Sequence, residues 1–116
     1  MKKVYYLKSC STCQRILKEW GLTSDVVLQN IKEEKMTPEQ LDEMIGIAGS
    51  AEALFSRKAM KYRAMGLHEK ELSEKDYRQL ILDEYTFLKR PVLLLDDQIF
   101  IGNSKKVVAQ TKTALG

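Results

Sequence analysis

Cysteine, histidine and proline are scarce in this sequence, and each scarcity narrows what the chain can be. Only two cysteines occur among 116 residues, and both fall in one four-residue segment, Cys10-Ser11-Thr12-Cys13. They are therefore not the scattered staples of a disulfide-built secreted scaffold, and in a reducing compartment such spacing points to catalysis or to metal. With His68 as the sole histidine, a four-ligand structural zinc site would have to recruit carboxylates or a second chain, so no metal is expected. Two prolines and six glycines are too few for a disordered or fibrous chain. No apolar run reaches the ~18 residues that a membrane span requires, and the apolar stretch near the start is too short for a secretory leader, which makes the cytoplasm the expected location. Charge of one sign is lacking too. Nineteen basic residues against sixteen acidic leave a formal +3, too slight an imbalance to mark a membrane or nucleic-acid ligand and consistent with small anions or protein partners.

What remains is an ordinary globular composition, 44% hydrophobic and 30% charged, in a length suited to one core. Lys3 to Leu7 is a β-prone run that leads into Ser9-Cys10-Ser11-Thr12, a stretch of small polar residues suited to a turn and a helix cap. Ile16, Leu17 and Trp20 then recur at helical spacing, with Gly21 as the stop. Asp25 to Ile31 reads as a second strand, parallel to the first, which completes a β-α-β unit.

The next segment is helical. Thr37-Pro38-Glu39-Gln40 carries a cap, a proline at the first helical position and a capping-box partner, followed by Leu41, Met44 and Ile45 as an apolar stripe. A further helix is expected over about 50–65, ending at Gly66, and another from Ser73 through Tyr77, Leu80, Ile81 and Tyr85. From Arg90-Pro91 the pattern changes to Val92-Leu93-Leu94-Leu95, an Asp96-Asp97 turn and Gln98-Ile99-Phe100-Ile101-Gly102, a β-hairpin. Asn103 or Ser104 can cap a closing helix that contains Val107, Val108 and Leu115. The expected architecture is thus α/β, a thioredoxin-like core with a mixed four-stranded sheet, forming a single domain over 1–116 with a helical insertion at about 36–88 between its β-α-β and β-β-α halves.

The cysteine pair carries the chemistry. A thiolate, not a thiol, is the nucleophile, and an ordinary cysteine is mostly protonated at neutral pH. Unpaired N–H groups and the dipole at a helix N-terminus favour the anion, and no acidic residue lies between Lys3 and Lys18, whereas Lys8 and Arg15 do. Cys10 is the expected nucleophile and Cys13, one helical turn on, the expected resolving thiol. The alternatives for the pair are half of a zinc site or inert packing. His68 sits in a loop signal and takes no role, and Asp96-Asp97 is explained by the turn.

An early strand ending at Cys10-Ser11-Thr12-Cys13, the middle segment Leu54-Phe55-Ser56-Arg57-Lys58 with Tyr62-Arg63 and Gly66-Leu67, and Arg90-Pro91 before an apolar hairpin together resemble the ArsC/Spx family of arsenate reductases and Spx-type regulators. The resemblance covers nearly the whole chain. It implies a cis Pro91 facing the active cysteine, no bound cofactor, and glutathione, glutaredoxin or thioredoxin as reductant. Arg90 would help hold an anionic substrate such as a small oxyanion, together with Arg57 or Lys58, between which the alignment leaves the choice open; Ser11 and Thr12 would line the same site. Two departures turn the reading from arsenate reduction itself towards thiol-disulfide exchange: Gly102-Asn103-Ser104-Lys105-Lys106 stands where a third arginine is expected, and arsenate reductases of this class lack a cysteine at the position of Cys13. Spx-type regulators do carry the pair, as a switch, and bind the C-terminal domain of the RNA polymerase α subunit; a longer segment after the last helix is expected of them. The basic cluster Arg57, Lys58, Lys61 and Arg63 reads as a solvated helix face.

Overall fold

The first strand buries two consecutive residues, Val4 and Tyr5, which face opposite sides of the sheet. A computed structural model describes residues 2–116. Its described part divides into two units: the residues up to Lys35 together with Arg90–Gly116, and Met36–Lys89.

In the first unit, strand β1 (Lys2–Tyr6) pairs in parallel with β2 (Val27–Asn30) across helix α1 (Ser11–Trp20). β1 also pairs antiparallel with β3 (Val92–Leu95), which turns through Asp96-Asp97 into β4 (Gln98–Ile101); the sheet order is β2-β1-β3-β4. Helix α5 (Lys105–Leu115) closes the unit. This is the mixed four-stranded sheet of a thioredoxin-like core. Asp96 takes a left-handed φ of 54° in the hairpin turn, a conformation that Asp tolerates better than bulkier residues.

Register explains what each face buries. Val4 lies opposite Leu93, and these two with Val26 form a cluster against which Leu17 of α1 and Leu115 of α5 pack. Tyr5, one residue on, points to the other face beside its register partners Gln29 and Val92, and all three are buried. The two helices lock to each other through Ile16, Trp20 and Val108, and the Trp20 indole N–H donates to the Val108 carbonyl at 3.1 Å. Gly21 ends α1 with φ 59°, a left-handed cap that costs glycine nothing. β2 is shorter than the Asp25–Ile31 run the sequence suggests, because Asp25 is drawn into a side-chain hydrogen bond from Thr23 and an ion pair with Lys2 at 3.5 Å. Being an edge strand, it leaves Val27 and Leu28 about half exposed.

In the second unit, α2 (Pro38–Ala48) starts at the capping box expected for it, with the Gln40 N–H donating to Thr37 Oγ1 at 3.1 Å and the Thr37 N–H donating to Gln40 Oε1 at 3.0 Å. The single helix expected over about 50–65 does not form. It is replaced by a 3-10 turn (Glu52–Leu54), the bridging residue Phe55, a turn at Arg57-Lys58, a short helix α3 (Met60–Ala64) and a second 3-10 turn (Leu67–Glu69). The cause is tertiary: Phe55 pairs its backbone with Leu88, the Ser56 N–H donates to the Phe87 carbonyl at 2.7 Å, and the Phe55 ring stacks on Phe87 with centroids 5.0 Å apart. Helix α4 (Glu74–Asp83) likewise stops short of Tyr85, since Glu84 turns extended and its carboxylate caps the 3-10 turn Tyr85–Phe87 through the Thr86 N–H.

The register makes a direct prediction. Leu93→Ala, at a fully buried position, should cost about 2–5 kcal/mol of stability, whereas Leu28→Ala on the exposed edge strand should stay within about 0.5 kcal/mol. Urea unfolding of both variants checks the pair; equal losses would contradict the burial assigned to the two strands.

Candidate active site

The thiol pair sits where the sheet hands the chain to the first helix. Leu7 is buried, Lys8 and Ser9 form a turn, and Cys10 is the N-cap residue of α1 with φ −90° and ψ 112°. An N-cap side chain lies beside the first free N–H groups of the helix. The first turn of α1 holds no acidic residue, so nothing there opposes a negative charge. Cys10 is half-buried and Cys13 wholly buried, and both are free thiols.

Their ionisation is pushed in opposite directions. Burial raises the Cys10 thiol, but hydrogen bonds from the Cys13 N–H and the Cys13 thiol, the charge of Arg90, and the Thr12 N–H together outweigh it and hold Cys10 below its ordinary value. For Cys13 burial wins. Aided by the negative charge of its neighbour and by the hydrogen bond it gives that neighbour, burial lifts the Cys13 thiol to about 11 against the pull of the Leu7 N–H and Arg90. Cys10 is thus biased towards the anion and Cys13 towards the protonated thiol.

Arg90 is half-buried and precedes a cis peptide bond to the buried Pro91, at the start of β3. The cis geometry suggested by the family resemblance is therefore present. Cys10, Cys13, the Thr12 backbone and Arg90 converge; Ser11 opens α1 beside them and its side chain is exposed.

Arg57 and Lys58 belong to the second unit. Arg57 is already engaged there: its guanidinium meets Glu52 Oε2 at 2.6 Å and the Tyr77 hydroxyl at 2.9 Å, and lies over the Tyr77 ring at 5.6 Å. Lys58 is exposed. Lys61 of the same basic cluster pairs with Glu84 at 2.5 Å, as a solvated face would. Among the described residues no three His, Cys, Asp or Glu side chains gather as metal ligands would, and no helix is long and apolar enough to cross a membrane.

Three groups around the thiols escape the sequence. The Leu7 N–H reaches Cys13, and a backbone donor has no residue-type signature. Gln14 and Asn30, polar residues unremarkable in the sequence, bind the turn that carries Cys10.

Known proteins resemble the chain over most of its length. The chain is 25% identical over 105 residues to the global transcriptional regulator Spx 2 of Bacillus anthracis, covering 88% of this chain and 79% of that protein. Among solved structures, the YFFB protein superposes with a TM-score of 0.81 at 21% identity over the full length of both chains. An arsenate reductase from Vibrio cholerae superposes at 0.75 with 18% identity, over 94% of this chain and 95% of that one. At such identities the two superpositions speak for the fold. The model of the ArsC family matches residues 5–111, nearly the whole chain, and the protein belongs to the ArsC family.

Proposed function

We propose that the protein is a thiol-disulfide oxidoreductase of the arsenate-reductase-like kind, in which Cys10 attacks and Cys13 resolves. The observation that carries this reading is the opposite displacement of two neighbouring thiols, one towards the anion and one away from it. Inert packing would account for the raised Cys13 thiol but gives no reason for the lowered Cys10.

The reaction runs in two exchanges. The Cys10 thiolate attacks one sulfur of an oxidised substrate RS–SR′; the S–S bond breaks, a Cys10–SR mixed disulfide forms, and R′S⁻ leaves and takes up a proton. In that adduct Cys10 no longer carries a charge or accepts the Cys13 hydrogen bond, so two of the three influences that raise Cys13 vanish. The Leu7 N–H and Arg90 persist and now favour ionisation. Cys13 loses its proton and attacks the Cys10 sulfur, RS⁻ leaves, and the pair is left as a Cys10–Cys13 disulfide. Two electrons have passed to the substrate. Glutathione, glutaredoxin or thioredoxin, working in the reducing cytoplasm, would return them. Arg90 supplies the fixed positive charge beside the reacting sulfurs, and Arg57 or Lys58 would orient an anionic substrate, a small oxyanion included, Arg57 only by sharing its guanidinium with Glu52.

A second reading is favoured by the likeness to Spx 2: the same pair would act as a switch governing attachment to the C-terminal domain of the RNA polymerase α subunit. Retention of that domain on immobilised protein in only one redox state would support it, and turnover of disulfides without such retention would support the enzyme.

With a glutathione-coupled disulfide assay, Cys10→Ser should lose turnover to background, while Cys13→Ser should stall and accumulate a glutathione adduct on Cys10 visible by mass spectrometry. Full turnover by Cys10→Ser would overturn the assignment.

Stability should report the same pair. Cys13 resists ionising when folded, so its contribution is complete below the ordinary thiol value of 9.0 and is lost as pH rises through about 11. Cys10 behaves oppositely, contributing above the ordinary value and losing that contribution as pH falls through its lowered one. The urea midpoint of the wild type should therefore decline relative to Cys13→Ser as pH rises across the Cys13 window; a constant difference would contradict the retained proton.

A further inference from the structure

Gln14 and Asn30 take no part in the proposed exchange, yet both close on the same piece of backbone. Between β1 and α1 the chain makes a turn over Leu7, Lys8, Ser9 and Cys10, closed by the Cys10 N–H donating to the Leu7 carbonyl at 3.0 Å. The inner peptide groups of such a turn face outward and are ordinarily left to water. Here the Lys8 N–H donates to Asn30 Oδ1 at 3.2 Å, and the Lys8 carbonyl accepts from Gln14 Nε2 at 2.8 Å.

The two holds come from different elements. Asn30 is the last residue of β2, whose end is fixed by the Ile31 N–H donating to the Tyr6 carbonyl at 3.0 Å, and the Lys32 N–H shares the same Asn30 oxygen at 3.4 Å. Gln14 stands in the first turn of α1, one residue past Cys13, and reaches back over the start of its own helix. One side chain ties the turn to the sheet and the other ties it to the helix.

We propose that Gln14 and Asn30 are positioning residues for Cys10, holding the turn so that the sulfur stays within reach of the Thr12 and Cys13 N–H groups. The proposal rests on the reading of Cys10 as the nucleophile. N–H···S contacts weaken steeply with misalignment, and the Cys10 sulfur can swing with the backbone that precedes it. A surface hydrogen bond with no such role would alter unfolding and leave the thiol alone.

The test is the pH profile of Cys10 alkylation by iodoacetamide in the reduced full-length protein, with peptide mapping to confirm the site, for wild type, Gln14→Ala, Asn30→Ala and the double variant. Both alanine variants should shift the profile to higher pH and slow alkylation at neutral pH several-fold, the double variant most. Thermal melts on the same samples establish folding, and Gln14→Ala, at an exposed position, decides the matter if Asn30→Ala does not fold. A lowered wild-type profile that the folded variants leave unmoved would overturn the positioning role alone. An ordinary profile in the wild type would overturn the nucleophile assignment and the positioning role with it.

Discussion

The proposed chemistry depends on two neighbouring sulfurs at the mouth of a helix whose ionisation is pushed in opposite directions. Cys10 is placed beside free N–H groups and a guanidinium, while Cys13, a single turn further on, is sealed from water. Each accounts for part of the other's state: the buried thiol lowers its half-buried neighbour, and negative charge on that neighbour in turn raises the buried thiol. Arg90 lowers both and cannot by itself separate them. Burial does the separating, because removing a charge from water is costly in proportion to how completely it is removed.

The fold supplies that asymmetry. β1 is a central strand buried on both faces, so the chain leaving it delivers Leu7 and Cys13 into the interior while Cys10 stays at the rim. α1 is fixed lengthwise by Trp20 bonded to the Val108 carbonyl of α5, and the antiparallel pairing of β1 with β3 brings the Arg90-Pro91 segment to the same end of the sheet. Membership of the ArsC family accounts for the shared frame. The second thiol, Cys13, is what the proposed exchange between sulfurs requires of this frame.

Much of this was legible in the sequence wherever the determining physics is local. The Thr37-Pro38-Glu39-Gln40 box and the Gly21 stop formed as read, since caps are settled by hydrogen bonds within a few residues. The strands around Cys10 and after Pro91 were readable from their short apolar runs. The middle segment was not: residues 50–65 have helical composition, but Phe55 gains more from stacking on Phe87 and pairing with Leu88 than from continuing a helix, and those partners lie more than thirty residues away. The site divides in the same manner. Cys10 and Cys13 announce themselves by type and spacing and Arg90 by the family resemblance, whereas Asn30, Gln14 and the Leu7 N–H act through contacts that only the folded backbone creates. Arg57 shows the converse, a residue of the right type whose guanidinium the structure gives first to Glu52 and Tyr77.

The most direct measurement is a site-resolved titration of the reduced protein, following the Cβ chemical shifts of the two cysteines by NMR across pH. The account predicts two separate transitions, Cys10 below the ordinary thiol value and Cys13 near 11. A single shared transition at the ordinary value, or the reverse order, would contradict it.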